Sequence, residues 1–220
     1  MPGRRKSARS DSDPRWTSKL PPAPGELRIV QSFVNTADFA RGTDLEGPEA
    51  LVRWLAHWSL VPEDAVLDAA DLERAIEVRE ALRALIMANH GAAASDVFAA
   101  RLDRTAKAAP ILVRFDPAGR TRFEAVADDL DGALARLFGI VAGAQLDGSW
   151  ERLKVCSGAV CRTAFYDFST NRSALYCHAR CGYRASSLAH RHRNLKEVRE
   201  LEAGRSASRR LTRRRRTRPS

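Results

Sequence analysis

The chain has 220 residues, 44% of them hydrophobic, with 37 basic against 27 acidic side chains and a formal net charge of +10. No run approaches the roughly 18 consecutive apolar residues of a membrane span, and the basic N-terminus leads into Pro21, Pro22 and Pro24 instead of an apolar signal core. A cytoplasmic, nucleoid-associated protein with no membrane partner is therefore expected, with one ordinary core and a small appended module.

In chain order, residues 1–24 mix Arg, Ser, Asp and Pro and predict a disordered basic arm. Order is expected to begin near Leu27, where Ile29, Val30, Phe33 and Val34 form the first apolar cluster before Asn35 and Thr36. Pro48 suits a first helical position, and Leu51, Trp54, Leu55 and Trp58 recur at i, i+3, i+4 and i+7, a single buried face. The longest helix is predicted over Ala69 to His90, with Leu72, Ala75, Ile76, Leu82, Leu85 and Ile86 inward and Gly91 supplying a left-handed C-terminal turn. Ser95 can cap a short helix carrying Phe98 and Leu102. After Pro110 the period changes to two: Ile111, Val113 and Phe115, an Asp116-Pro-Ala-Gly turn, then Thr121, Phe123 and Ala125 predict a β-hairpin. A last helix over Asp128 to Leu146 presents Leu130, Leu134, Leu137, Phe138 and Val141, and Gly148 marks a boundary.

The fold class that results is mainly α: a helical N-terminal domain (25–148) with one β-hairpin, a small C-terminal module (149–193) and a basic tail (194–220). Charge follows the same division. Residues 1–20 carry a net +4, residues 21–149 a net −7 and residues 150–220 a net +13. Basic side chains displace counterions condensed on phosphates, so the last third points to nucleic acid, with a merely solubilising tail as the plainer reading. Arginine dominates and only five lysines occur, a composition that suits a high-GC bacterium.

All four cysteines fall within 26 residues, as Cys156-x4-Cys161, a 15-residue loop, and Cys177-x3-Cys181. Two such pairs can each close a tight knuckle around one ion, and four thiolates at about 2.3 Å give zinc a closed tetrahedral structural site with no position for water. One structural Zn2+ is the expected cofactor. In an isolated module of this size the metal would supply most of the folding free energy, roughly 10–16 kcal/mol. Ordinary buried thiols, disulfides, an iron–sulfur cluster, and a ligand role for His178, His190 or His192 are the competing readings. The clustering, the lack of a secretion signal and the local spacing favour zinc.

Three runs carry a resemblance: Val155-Cys-Ser-Gly-Ala-Val-Cys161, Phe165-Tyr-Asp-Phe-Ser169, and Tyr176-Cys-His-Ala-Arg-Cys-Gly-Tyr-Arg184. Together they resemble the CGNR-type zinc finger. Tyr183 stands where that family has Asn, and Tyr176 where an aromatic, usually Trp, precedes the third cysteine. Phe33-Val-Asn-Thr36 and the Leu51-x-x-Trp-Leu55 helix look like the opening of the ABATE domain of stress-induced transcription regulators. The two resemblances cover about residues 26–193 and imply a helical first domain and a DNA-binding regulator.

Cys181-Gly182 can lead into a helix through Ala185, Leu188 and Ala189, presenting Arg180, Arg184, Arg191 and Arg193 to nucleic acid. Arg213, Arg214, Arg215 and Arg216 would add nonspecific attraction. For Arg184 a structural hydrogen bond within the knuckle is the plainer alternative. Phe165, Tyr166 and Phe168 are expected to form the module's small core. Asn35, Thr36 and Trp54 could line a pocket for a small-molecule effector, against simple local capping. No nucleophile with a base, no phosphate-cradling loop and no open metal site is visible, so an enzyme is not expected. An RNA- or ribosome-associated zinc protein and a thiol redox sensor remain as alternatives to a DNA-binding regulator. A homodimer is open, although no heptad pattern supports it.

Overall fold

The computed structural model describes residues 20–37, 39, 45–91, 96–191 and 193–196. Most of the expected N-terminal arm, the Ser95 cap, His192, and Arg213, Arg214, Arg215 and Arg216 lie outside the described residues. The protein is mainly α with two small antiparallel sheets.

The first apolar cluster is a helix, α1 (Leu27–Val34), whose Leu27, Ile29, Val30, Phe33 and Val34 are all buried. It ends at Asn35, whose backbone N–H donates back to the Gln31 carbonyl. Helix α2 (Pro48–His57) begins with proline in its first turn, after Gly47 at φ 95°. Leu51, Trp54 and Leu55 are fully buried and Trp58 half-buried. The Phe33 and Trp54 rings lie 5.1 Å apart and join α1 to α2.

Helix α3 (Ala69–Ala88) opens with a reciprocal cap in which the Asp68 carboxylate accepts the Asp71 N–H and the Asp71 carboxylate accepts the Asp68 N–H. It ends two residues before the expected His90, ahead of Gly91 at φ 81°. Ala75, Val78, Leu82 and Ile86 form its buried stripe, while the expected Leu72, Ile76 and Leu85 are half-buried. Two arginines, Arg79 and Arg83, share the buried side. Helix α4 (Asp96–Ala108) buries no residue; its Phe98 and Leu102 are half-buried.

Strands β1 (Ile111–Phe115) and β2 (Thr121–Ala125) pair from Ile111 opposite Ala125 to Phe115 opposite Thr121. The Asp116 carboxylate accepts the N–H groups of Ala118 and Arg120, and Gly119 takes φ 76°, which a side chain would disfavour. Helix α5 (Leu130–Leu146) is capped by Asp129, which accepts the Gly132 N–H. A Cβ on Gly139 would stand 2.9 Å from that of Phe123, so glycine lets β2 lie against this helix.

After Gly148 a 3-10 turn (Trp150–Arg152) leads into β3 (Leu153–Val155), paired with β4 (Ala164–Tyr166). Trp150, Leu153, Val155 and Ala164 belong to the same buried cluster as Phe33, Trp54, Leu82 and Leu134. These short strands are thus part of the helical core. By backbone contacts the chain divides between Cys177 and His178. The second unit is helical over 179–191 and 193–196, here called α6.

Candidate metal centre

The first knuckle grows from the end of β3. The Cys156 N–H donates to the Thr163 carbonyl at 2.9 Å, and the Cys161 N–H to the Gly158 carbonyl at 3.0 Å. The Gly158 N–H faces the Cys156 sulfur at 3.5 Å, and the Thr163 hydroxyl lies 3.2 Å from the Cys161 sulfur. Both sulfurs therefore have a donor within reach that can stabilise a thiolate. Cys156 and Cys161 are buried, Cys177 and Cys181 half-buried.

The second pair is four residues apart across the start of α6. The helix begins at 179, before Cys181 and not after it as the sequence suggests, and the Cys181 N–H donates to the His178 carbonyl at 2.9 Å. The first turn of a helix carries partial positive charge, which favours a thiolate there.

The loop between the pairs is built around Asp167, which sequence reasoning passed over. Its Oδ2 accepts from Lys154 Nζ and from the Ala174 N–H at 2.8 and 2.9 Å, and its Oδ1 accepts from the N–H and hydroxyl of Ser169. Arg152 donates to the carbonyls of Asp167 and Ser169 at 3.0 and 2.9 Å, and the Ser157 N–H to the Leu175 carbonyl at 2.9 Å. Burial pushes the Asp167 carboxyl up, but Lys154 and the Ser169 and Ala174 hydrogen bonds outweigh it and hold it well below the usual carboxylate range. The Asp-x-Ser signature of a side-chain-bonded turn was the available signal.

All four sulfurs lie within 4.8 Å of one another. Cys161 and Cys177 are 3.6 Å apart. A tetrahedral site with zinc–sulfur bonds of about 2.3 Å requires edges of about 3.8 Å, whereas a disulfide requires about 2.05 Å. The donor set and spacing fit one zinc ion, and no histidine joins the group among the described residues. Hydrogen bonding to Cys156 and Cys161, then burial, pushes the Cys177 thiol up, so this cluster resists full ionisation until a cation compensates the charge. His178 and His190 are exposed, and His190 Nε2 lies 3.3 Å from Asn194 Nδ2.

The aromatic run divides. Phe165 is buried with its ring 6.3 Å from that of His90, and Tyr166 packs half-buried on the core. Phe168 is 59% exposed, which corrects its assignment to the module's core. Its ring meets that of Tyr166 edge-on, with centroids 4.8 Å apart.

Arg180, Arg184, Arg191 and Arg193 are all exposed on α6. Positions 180, 184 and 191 fall within about 40° on a helix turning about 100° per residue. Among the described residues Arg184 makes no hydrogen bond within the knuckle. Tyr183 is also exposed.

Asn35, Thr36 and Trp54 are buried, each with protein partners. The Asn35 amide bonds the backbone of Ala164, the Thr36 hydroxyl donates to the Phe33 carbonyl at 2.8 Å, and the Trp54 indole N–H donates to Ser32 Oγ at 3.3 Å. A cleft of about 640 Å³ opens elsewhere, between Pro24–Leu27, β2 and α5, and none of the three lines it.

Two family models match the chain. The ABATE model, described as a putative stress-induced transcription regulator, matches residues 27–147, and the CGNR zinc finger model matches residues 152–194. No curated protein matches the sequence. Among the described residues no helix is long and apolar enough to cross a membrane.

Proposed function

We propose that this chain, which belongs to the ABATE family and carries a CGNR zinc finger, is a zinc-dependent, DNA-binding transcription regulator whose first domain answers to a stress signal or small molecule. The observation that carries the reading is the stripe of Arg180, Arg184 and Arg191, exposed on the helix whose first turn holds the fourth cysteine. A guanidinium fork matches phosphate oxygens and the O6/N7 edge of guanine, and a helix fits the major groove. Zinc would fix where that helix begins and so which groups its arginines reach; Arg193 and the 213–216 run would add attraction to the backbone.

For the sensing half, the cleft beside α5 is the better candidate. Its volume of about 640 Å³ falls within the common range for small-molecule sites, and Arg122 and Arg136 stand on its wall. The Asn35–Trp54 patch instead has its polar groups bonded to protein.

The test uses protein truncated after Gly204, which removes the arginine-rich end, as zinc-loaded and chelator-stripped samples titrated with duplex DNA and single-stranded RNA across a salt series. Zinc-dependent duplex binding is expected, with affinity falling as salt rises by a slope of about −0.9 per phosphate neutralised. Arg184→Ala should weaken binding and flatten that slope by about one. Preference for single-stranded RNA would move the reading to an RNA-associated zinc protein. Binding to neither would assign association to the removed tail and leave the finger a protein-interaction or redox module.

A further inference from the structure

The segment Arg162-Thr163-Ala164, which follows the second cysteine of the first knuckle, is gripped by the helical body on both sides. Asn35, at the end of α1, donates through Nδ2 to the Ala164 carbonyl at 2.8 Å and accepts the Ala164 N–H through Oδ1 at 2.7 Å. One side-chain amide thus satisfies both backbone groups of a strand residue, as a neighbouring strand would. Gln31 Nε2 reaches the same carbonyl at 3.4 Å while its Oε1 accepts the Ala23 N–H at 2.6 Å.

Arg83 of α3 holds the other side. Its Nη1 donates to the Arg162 carbonyl at 2.7 Å, its Nη2 to the Val34 carbonyl and its Nε to Glu80 at 3.1 Å. Only 1% of Arg83 is exposed. The Phe39 ring adds a clamp, with the guanidiniums of Arg83 and Arg162 at 4.9 and 4.8 Å from its centre. Thr163, between the two gripped residues, touches both cysteines: its carbonyl accepts the Cys156 N–H and its hydroxyl lies 3.2 Å from the Cys161 sulfur.

We propose that Asn35 and Arg83 are positioning residues for the metal centre, so that zinc affinity and the seating of α1 and α3 form one linked equilibrium. The inference rests on the reading of the four cysteines as a zinc site. A free knuckle must be ordered at a cost of about 1–2 kcal/mol for each residue fixed, and the body has already ordered three of them. Linkage is reciprocal: zinc that favours the seated knuckle also favours the grip on it, and an event that shifts α1 or α3 alters the metal site. A signal received by the first domain would thereby have a short path to the finger, from Asn35 by hydrogen bonds to Ala164 and on through the adjoining Thr163, whose hydroxyl meets the Cys161 sulfur.

The test measures zinc affinity of the full chain by chelator competition, alongside the cobalt-substituted absorption spectrum, which reports the geometry of the four sulfurs. The variants are Asn35→Ala, Asn35→Ser, which keeps one uncharged hydroxyl able to donate or accept, and Leu137→Ala as a core control away from the knuckle, at a temperature where circular dichroism shows each folded. The Asn35 variants are expected to lose about 10–100-fold in zinc affinity, with an altered cobalt spectrum, while Leu137→Ala stays near wild type. If Asn35→Ala does not fold, Asn35→Ser carries the comparison. Wild-type affinity in folded Asn35 variants, or an equal loss in Leu137→Ala, overturns the linkage but leaves the zinc site standing. A wild-type chain that binds no zinc overturns both.

Discussion

Among the described residues, two β-hairpins are held in opposite ways. Strands β1 and β2 are five residues long, joined by a five-residue connection, and largely exposed, with Val113 at 53% and Phe115 at 71%. Strands β3 and β4 are three residues long and nearly all buried, and what joins them is the first cysteine knuckle. The first hairpin is specified by its own turn, through the Asp116 carboxylate and Gly119. The second is held from outside by Asn35 and Arg83, and across its own open end by the ion pair between Lys154 of β3 and Asp167 just after β4. A strand too short to hold itself can still be rigid when distant side chains take up its backbone groups.

The sharpest way to break this contrast is Asp167→Ala. It leaves the Lys154 ammonium buried without its counterion, and a loss of about 3–5 kcal/mol in urea unfolding is expected, with the knuckle region losing amide protection first. The same carboxylate makes a pH prediction. Its pKa is depressed in the folded state from an ordinary 3.8, so its stabilisation is complete above that value and declines as pH falls from about 4 downward. Acid titration of Asp167→Asn should lack that component; an unchanged acid limb would show that the ion pair contributes nothing.

Smaller effects are expected in the exposed hairpin. Gly119→Ala forces a side chain into φ 76° and should cost about 1–2 kcal/mol, read as a lower thermal midpoint with β3 and β4 protection unchanged. Phe115→Ser should shift stability by no more than about 0.5 kcal/mol. A large loss from Phe115→Ser would reveal that this strand is covered in solution, and the two hairpins would then differ less than their exposure suggests.

The contrast also explains what was legible in the sequence. Helices α2, α3 and α5 and the β1–β2 hairpin could be read because their signals are local: Pro48 at a first turn, apolar residues at helical spacing, and Asp116-Pro-Ala-Gly between alternating strands. The cysteine pairs were legible from spacing alone, and their sulfurs do converge. Strands β3 and β4 are too short for any period to show. Asn35 read as a local cap or pocket residue because nothing nearby announces that its partner, Ala164, lies 129 positions away. Nothing in the α3 pattern singles out Arg79 and Arg83, yet both are buried, and their acceptors come from Thr36, Glu80, Val34 and Arg162. Burial lowers the Arg83 pKa and Glu80 opposes that shift, so the charge is retained inside by its acceptors. Periodicity reports which residues dislike water; it carries no information on which polar groups will find partners across the fold.

Lys154 gives the molecule a chemical reporter. With only five lysines in the chain, its side chain is 4% exposed while that of Lys107 on α4 is 76% exposed. An acylating reagent should therefore mark Lys107 in the native protein at once and reach Lys154 only when the β3–β4 hairpin opens. Peptide mapping of the two sites over time would report the opening rate of that hairpin without any engineered label.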